Sequence, residues 1–278
     1  MLLVHTWEVH FHSSKEWDRR GYEEAVAATD EYLGTLFAAL GQDTVVVVTG
    51  DHGENFAESA LGERLRKGAK KIRRRGVGEW WPALDDRLSR TMGHGYGLDE
   101  QLIRVPLLLW GPNIGPRQID QQVRHVDLLP TLADLCGVDV GTSKFDGRAL
   151  TPLMQGHSLA EEPAYMETSG VPVTIGLKAA DEAKLELRRV IGVRDERWKY
   201  LRKGTGKRLL YRTEGLYRWD GGGRNDRVRN VLDDNEDVVR RFESYVDDVA
   251  ATSVVSDSGM TESEEAVVEE RLRDLGYL

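Results

Sequence analysis

The most pronounced hydrophobic pattern in the chain is the run 45–48, four valines followed directly by Thr49, Gly50, Asp51 and His52. Consecutive β-branched side chains predict a strand that is buried on both faces, as in a parallel sheet. Ligands of such sheets bind beyond the carboxyl ends of the strands, where Asp51 and His52 fall. A carboxylate beside an imidazole on a short turn predicts half of a divalent-metal site, although ordinary turn chemistry also uses these residues.

Apolar residues on both sides of this run predict the elements around it. Helical spacing over residues 17–40 predicts a helix, and the apolar segments 2–7 and 105–110 predict further strands. The strand–helix–strand order favours a mainly parallel sheet flanked by helices, since such a crossover joins parallel strands. Asp127 is a suitable N-cap for a further helix that runs through Leu135.

The hydrophobic pattern changes beyond Gly156. Short apolar segments separated by charges predict an antiparallel sheet, and helical spacing later predicts two helices. The segments are 190–193, 198–201 and 209–211, and the helices are 236–250 and 263–275. We therefore predict an α/β fold in two parts, a body over residues 1–156 and a small α+β subdomain with a helical tail over residues 157–278.

The basic run 64–75 lies within a predicted insertion at about 57–91. It can attract an anionic substrate or polymer, but a solvated helical insertion is the more ordinary interpretation. The net charge of −9 argues against a general nucleic-acid binder, and the single cysteine, Cys136, excludes an intramolecular disulfide framework. No segment has the length and hydrophobicity of a membrane span, and the first residues lack the features of a signal peptide. We expect a cytoplasmic protein that binds neither nucleic acid nor membrane.

Several longer segments occur in a characteristic order and spacing. They are TWEVHFH, VVVVTGDHGE, MGHGYGLDEQLIRVPLLLWGP, VRHVDLLPTLADLCGV and FDGRALTPLMQG, then VRDERWKYLRKG, GLYRWDGGGRNDRVRNVLDD and VEERLRDLGYL. Together they resemble the sulfatase branch of the alkaline-phosphatase superfamily. The resemblance implies a partial sulfatase-like sandwich with a C-terminal antiparallel sheet. It also implies metal-dependent hydrolysis of a sulfuric ester, carried by a small molecule or a glycan.

The resemblance also implies roles for particular residues. Asp51 and His52 match the family's second pair of metal ligands, which in sulfatases usually hold Ca²⁺; Mg²⁺, Mn²⁺ and Zn²⁺ are alternatives. His94 matches the basic position that contacts the ester oxygens and the leaving group. His10 matches a histidine that contacts the sulfate and can donate a proton, although His12 stands where the family has proline. Without the resemblance, an ordinary hydrogen-bonding role is the simpler interpretation of His10 and His94.

Two further parts of the family pattern do not occur in this sequence. The 278 residues contain no C/S-x-P-x-R motif, which supplies the nucleophile, and no Asp-Asp pair after a first strand. All matching segments belong to the later part of the pattern. We therefore expect a sulfatase chain without its N-terminal part, with a separately encoded N-terminal half as a candidate partner. The alternatives are a phosphoesterase of the same superfamily and a non-catalytic remnant that binds an anionic ligand or a partner.

We predict that the purified 278-residue chain by itself does not hydrolyse sulfate esters, because it lacks the nucleophile motif. The measurement is the release of p-nitrophenol from p-nitrophenyl sulfate in the presence of Ca²⁺, with the Asp51→Ala variant as the control. The two proteins should give the same background rate. Faster hydrolysis by the unsubstituted chain would contradict the prediction.

Overall fold

Two units make up the chain. The first contains residues 1–93, 100–162 and 219–224, and the second contains residues 94–99, 163–218 and 225–278. The computed structural model describes residues 2–6, 9, 19–54, 68, 95, 97–140, 145–168, 186–214, 229–252 and 267. Among these residues, no helix combines the length and hydrophobicity that crossing a membrane requires.

The first unit is built from helices and one pair of strands. In chain order these are α1 (Arg19–Ala38), β1 (Val46–Thr49), α2 (Glu100–Ile103), β2 (Leu107–Trp110), a 3₁₀ turn (His125–Asp127), α3 (Leu128–Leu135) and α4 (Thr151–Met154). The helix predicted over 17–40 is present as α1. Helix α3 begins after Asp127 as predicted, but the Asp127 side chain makes no capping hydrogen bond to it. The strand predicted over 2–7 is not found, since residues 2–6 adopt no regular structure.

Strand direction is the point on which the fold prediction is not confirmed. The predicted sheet is mainly parallel, whereas both sheets within the described residues are antiparallel. In the first unit β1 and β2 run in opposite directions, with Val46 opposite Trp110 and Thr49 opposite Leu107. A run of β-branched residues predicts that a strand forms and is covered by other groups. It does not specify the direction of the neighbouring strand, because side-chain burial is compatible with either pairing.

Asp127 connects the 3₁₀ turn to a segment that is distant in the sequence. Its carboxylate is 98–99% buried and accepts hydrogen bonds from the backbone N–H of Arg124 (2.9 Å) and of Arg148 (3.1 Å). The Arg124 guanidinium donates from Nη2 to Oδ1 of the same carboxylate (2.8 Å) and also pairs with Glu162 (2.6 Å). Burial alone would raise the pKa of Asp127, but the hydrogen bonds from Arg124 and Arg148 outweigh it and hold the pKa below its ordinary value.

The second unit contains the antiparallel sheet that the sequence predicts. Its strands lie in the order β3 (Ala164–Thr168), β4 (Val190–Arg194), β5 (Trp198–Lys203) and β6 (Arg208–Arg212). A 3₁₀ turn (Leu232–Asp234) and the helix α5 (Glu236–Thr252) follow. Strand β3 is not among the predicted segments, and the helix predicted over 263–275 lies outside the described residues except for one position.

The core of the second unit forms where α5 packs on the sheet. Tyr200 and Phe242 are fully buried at its centre, together with aliphatic residues of both elements. The Tyr200 hydroxyl donates a hydrogen bond to Glu243 of α5 (2.9 Å), so its polar end is satisfied at the edge of the core. Helix α5 therefore covers one face of the sheet.

We predict that Asp127→Asn lowers the free energy of unfolding by about 2–4 kcal/mol at pH 7, because the buried guanidinium of Arg124 loses one of its two charged partners and keeps only Glu162. The folded-state pKa of Asp127 lies below its unfolded value of about 3.9, so its ionic contribution is present above pH 4. That contribution disappears as the pH falls through the folded pKa, and the difference between variant and parent should shrink there.

The measurement is urea unfolding followed by circular dichroism between pH 7 and pH 3. Asp120→Asn is the control, since this exposed carboxylate accepts a hydrogen bond from Gln118 at the surface and should change stability by less than about 0.5 kcal/mol. Equal stability of the Asp127→Asn variant and the parent at pH 7 would contradict the structural role of the carboxylate.

Candidate metal and active site

The turn that carries Asp51 and His52 starts where β1 ends. Thr49, the last residue of β1, donates a hydrogen bond from its hydroxyl to the carbonyl of Pro106 (2.9 Å). The Nε2 atom of His125 lies within hydrogen-bonding distance of the same hydroxyl, at 3.2 Å. The strand end is therefore attached to the segments on either side of β2 before the chain enters the turn.

Gly53 fixes the other end of the turn against α2. Its N–H donates to the carbonyl of Leu102 (2.8 Å), and a Cβ at this position would lie 1.8 Å from the carbonyl oxygen of Gln101. Only glycine allows the two backbones to approach this closely. Gly50 is less restricted, since the nearest atom to a Cβ there is the carbonyl oxygen of His52 at 3.4 Å.

Hydrogen bonds within the turn orient its two candidate metal ligands. Asp51 accepts a hydrogen bond from the backbone N–H of His52 on Oδ1 (2.9 Å), so Oδ2 is the oxygen that this bond does not use. The Nδ1 atom of His52 lies 2.8 Å from the carbonyl of Gly53, and a carbonyl only accepts. The hydrogen of the neutral imidazole is therefore on Nδ1, and Nε2 has the lone pair that a metal requires.

The two ligand atoms fit a shared cation in position and chemistry. The Nε2 atom of His52 and the Oδ2 atom of Asp51 are 3.7 Å apart, and both side chains are partly exposed. An ion about 2.4 Å from each atom would have them about 100° apart, an angle that is ordinary in octahedral and larger shells. Two ligands do not complete such a shell. The part of the chain that the structure describes contains no cluster of three or more His, Cys, Asp or Glu residues suited to a metal.

The structure brings Asp51 and His52 together, whereas His10 and His94, the two predicted catalytic histidines, lie outside the described residues. His125, which no motif of the sequence singles out, contacts the strand that leads to the candidate metal turn. The sequence signal for it is weak, because a histidine before a helix cap has many ordinary uses.

The sequence of the first half of the chain matches a known protein family. Residues 1–138, which include β1, the Asp51–His52 turn and α3, match the sulfatase family model. Residues 1–138 of the chain belong to the sulfatase family. The confirmed family assignment agrees with the resemblance carried by the VVVVTGDHGE and IRVPLLLWGP segments of the sequence.

Similar proteins with curated names are also sulfatases. The chain is 29% identical to steryl-sulfatase of Rattus norvegicus over 153 residues, which is 52% of the chain and 23% of that protein. It is 26% identical to choline-sulfatase of Rhizobium meliloti over 190 residues, 66% of the chain and 28% of that protein. A shorter stretch of 57 residues is 42% identical to human N-acetylglucosamine-6-sulfatase, covering 20% of the chain and 10% of that protein. The chain thus matches about a quarter or less of the length of these relatives.

Solved structures show which fold the chain shares. Phosphonate monoester hydrolase of Agrobacterium radiobacter aligns with a TM-score of 0.57 and 22% identity over 85% of this chain and 42% of that chain. The enzyme from Silicibacter pomeroyi aligns with a TM-score of 0.51 and 17% identity over 87% of this chain and 42% of that chain. At these identities the likeness establishes a mixed α/β fold of the sulfatase and phosphonate-hydrolase type.

We predict that Gly53→Ala displaces the metal turn, because its Cβ would overlap the backbone of α2. The free energy of unfolding should fall by about 1–3 kcal/mol, as measured by urea denaturation. The matched control is Gly50→Ala, which adds the same methyl group three residues earlier, where there is space for it. That control should cost less than about 1 kcal/mol. Equal effects of the two substitutions would show that the contact between Gly53 and Gln101 does not restrain the turn.

Proposed function

We propose that this chain supplies the second metal-ligand pair of a sulfatase site that hydrolyses sulfuric esters. The observation that carries the proposal is the Asp51–His52 turn, whose Oδ2 and Nε2 atoms are 3.7 Å apart within the segment that matches the sulfatase family. In the proposal Ca²⁺ is the bound ion, and Mg²⁺, Mn²⁺ and Zn²⁺ are alternatives. A carboxylate with an imidazole is compatible with each of them.

The proposed chemistry follows from the charge of the substrate. A sulfate ester is anionic, so it repels an attacking nucleophile unless the negative charge on the sulfate oxygens is neutralised. A bound divalent ion supplies that neutralisation. Asp51 and His52 hold the ion in a fixed place, since the turn is restrained at Thr49 and at Gly53.

The remaining roles are assigned to two histidines and to groups outside this sequence. We propose that His94 contacts the ester oxygens and protonates the leaving group, a task for which the pKa of an imidazole is suitable. His10 is proposed as a second sulfate contact and possible proton donor. The nucleophile of the reaction is a group that the 278 residues do not include, because they contain no C/S-x-P-x-R motif.

The proposed substrate is a sulfate ester of a small molecule or a glycan. The names of the similar proteins support this class, since they include a choline-sulfatase and an N-acetylglucosamine-6-sulfatase. The second candidate is hydrolysis of phosphate or phosphonate esters. It is favoured by the fold likeness to two phosphonate monoester hydrolases, which at this identity is a likeness of fold alone.

The test is an assay of the complete product of the gene that encodes these residues. Its kcat/KM would be measured on the p-nitrophenyl esters of sulfate, phosphate and phenylphosphonate, with Ca²⁺ and after treatment with EDTA. We expect the sulfate ester to be preferred and the activity to be lost with EDTA. A preference for either phosphorus ester would replace the sulfatase assignment with the second candidate.

Substitutions in the same protein test the metal ligands. Asp51→Asn and His52→Gln should each lower kcat/KM for the sulfate ester by on the order of 100-fold or more. His157→Gln is the control, because this exposed histidine lies outside the proposed site and should leave kcat/KM unchanged. Activity of the Asp51→Asn variant within about twofold of the parent would contradict the assignment of Asp51.

A further inference from the structure

We propose that the C-terminal sheet positions the segment that follows His94, and that Lys199 is the positioning residue. The inference rests on the proposed function in one respect, the role of His94 at the ester. The structural evidence comes from residues 95 and 97–99, which belong to the same unit as the sheet, the second one.

The register of the sheet gives its two faces different neighbours. Residues directly opposite each other in antiparallel strands lie on the same face, as do alternate residues of one strand. Tyr200, Val193 and Leu210 share the face that packs on α5. Lys199 is adjacent to Tyr200 in β5 and therefore lies on the opposite face, together with Gly192.

Leu98 packs directly on this second face. Its side chain is buried, with 7% exposed, and a Cβ built on Gly192 would lie 2.8 Å from its Cδ1 atom. The same Cβ would lie 3.1 Å from Leu201 and 3.2 Å from Met166, the residues that flank Gly192 across the sheet. The missing side chain at Gly192 thus makes the space that Leu98 occupies.

Two side chains of the same face donate hydrogen bonds to the backbone of the segment. The Thr168 hydroxyl donates to the carbonyl of Gly95 (2.8 Å), and the Lys199 ammonium donates to the carbonyl of Leu98. Lys199 is buried, with 3% of its surface exposed. Burying an ammonium group costs free energy unless the group is hydrogen-bonded. An apolar residue would therefore suit position 199 better if that residue only packed against its neighbours. The lysine instead fixes the course of the backbone it contacts.

This attachment restricts the candidate catalytic histidine through the covalent chain. The Cα atoms of adjacent residues are about 3.8 Å apart, so holding Gly95 limits where His94 can be. On its other side the segment continues into α2, whose carbonyl groups contact Gly53 of the metal turn. A shift of about 1 Å in a catalytic group is enough to lower a rate by on the order of 100-fold. Lys199 therefore serves the proposed reaction without contacting the substrate.

The structural test measures how often residue 98 becomes accessible. The exposed cysteine is removed by Cys136→Ser, and Leu98→Cys places a thiol at the buried position. The labelling rate of this thiol by a disulfide reagent is compared with and without Lys199→Met, which keeps an unbranched side chain, one atom shorter, but removes the charge and the hydrogen-bond donor. Lys203→Met is the matched control, because this lysine lies on the same strand and face but is less buried.

We expect Lys199→Met to raise the labelling rate about tenfold or more, since the segment loses a hydrogen bond from a charged donor. Lys203→Met should leave it unchanged, and the urea midpoint shows whether the sheet remains folded. Thr168→Val, which removes the hydrogen bond to Gly95, should also raise the rate and provides the test if Lys199→Met fails to fold. An unchanged labelling rate in a folded Lys199→Met variant, or in Thr168→Val when that is the test, would overturn the proposal.

The functional test uses the complete product of the gene and the sulfate-ester assay. Lys199→Met should lower kcat at least about tenfold, with KM within about threefold, and should alter the limb of the pH–rate profile that His94→Gln abolishes. A fall in kcat with an unchanged pH profile would reduce Lys199 to a structural residue and overturn the proposal. If no sulfate ester is hydrolysed, the proposed function fails, while thiol labelling still decides whether the sheet holds the segment.

Discussion

The candidate metal site depends on the close backbone contact between Gly53 and α2. The N–H of Gly53 bonds to Leu102, and the carbonyl of Gln101 occupies the volume in which any side chain at position 53 would lie. This contact fixes the end of a turn that is otherwise exposed to solvent and in which the candidate ligand atoms of Asp51 and His52 are 3.7 Å apart. A metal ligand pair needs this restraint, because ordering two exposed side chains on binding would cost free energy.

Residues 95–105, which include α2, make two sets of contacts. Residues 95–98 are held by Thr168, Lys199 and the space above Gly192, all in the second unit. The residues that follow form α2 and support the metal turn in the first unit. The two sets of contacts thus lie on consecutive parts of the chain.

The sequence predicted the elements of this fold better than their pairing. Helical spacing located α1 and α5, the capping position of Asp127 located α3, and alternating short segments located β4, β5 and β6. Strand β3 was not predicted from the sequence. The antiparallel pairing of β1 with β2 was not predicted, because a hydrophobic pattern indicates which side chains are shielded from water but not the direction of the neighbouring strand.

For the candidate site, the sequence by itself determined the residue types and their family. The D-H-G turn after a valine strand identified Asp51 and His52, and the order of the longer motifs identified a sulfatase. Only the tertiary structure decided how those residues are held. The contacts of Gly53 with Gln101, of Thr49 with His125 and of Lys199 with Leu98 join positions from 48 to 101 residues apart. Local sequence patterns do not predict such contacts, because the contacts form only when the chain folds and brings distant backbone groups within hydrogen-bonding distance.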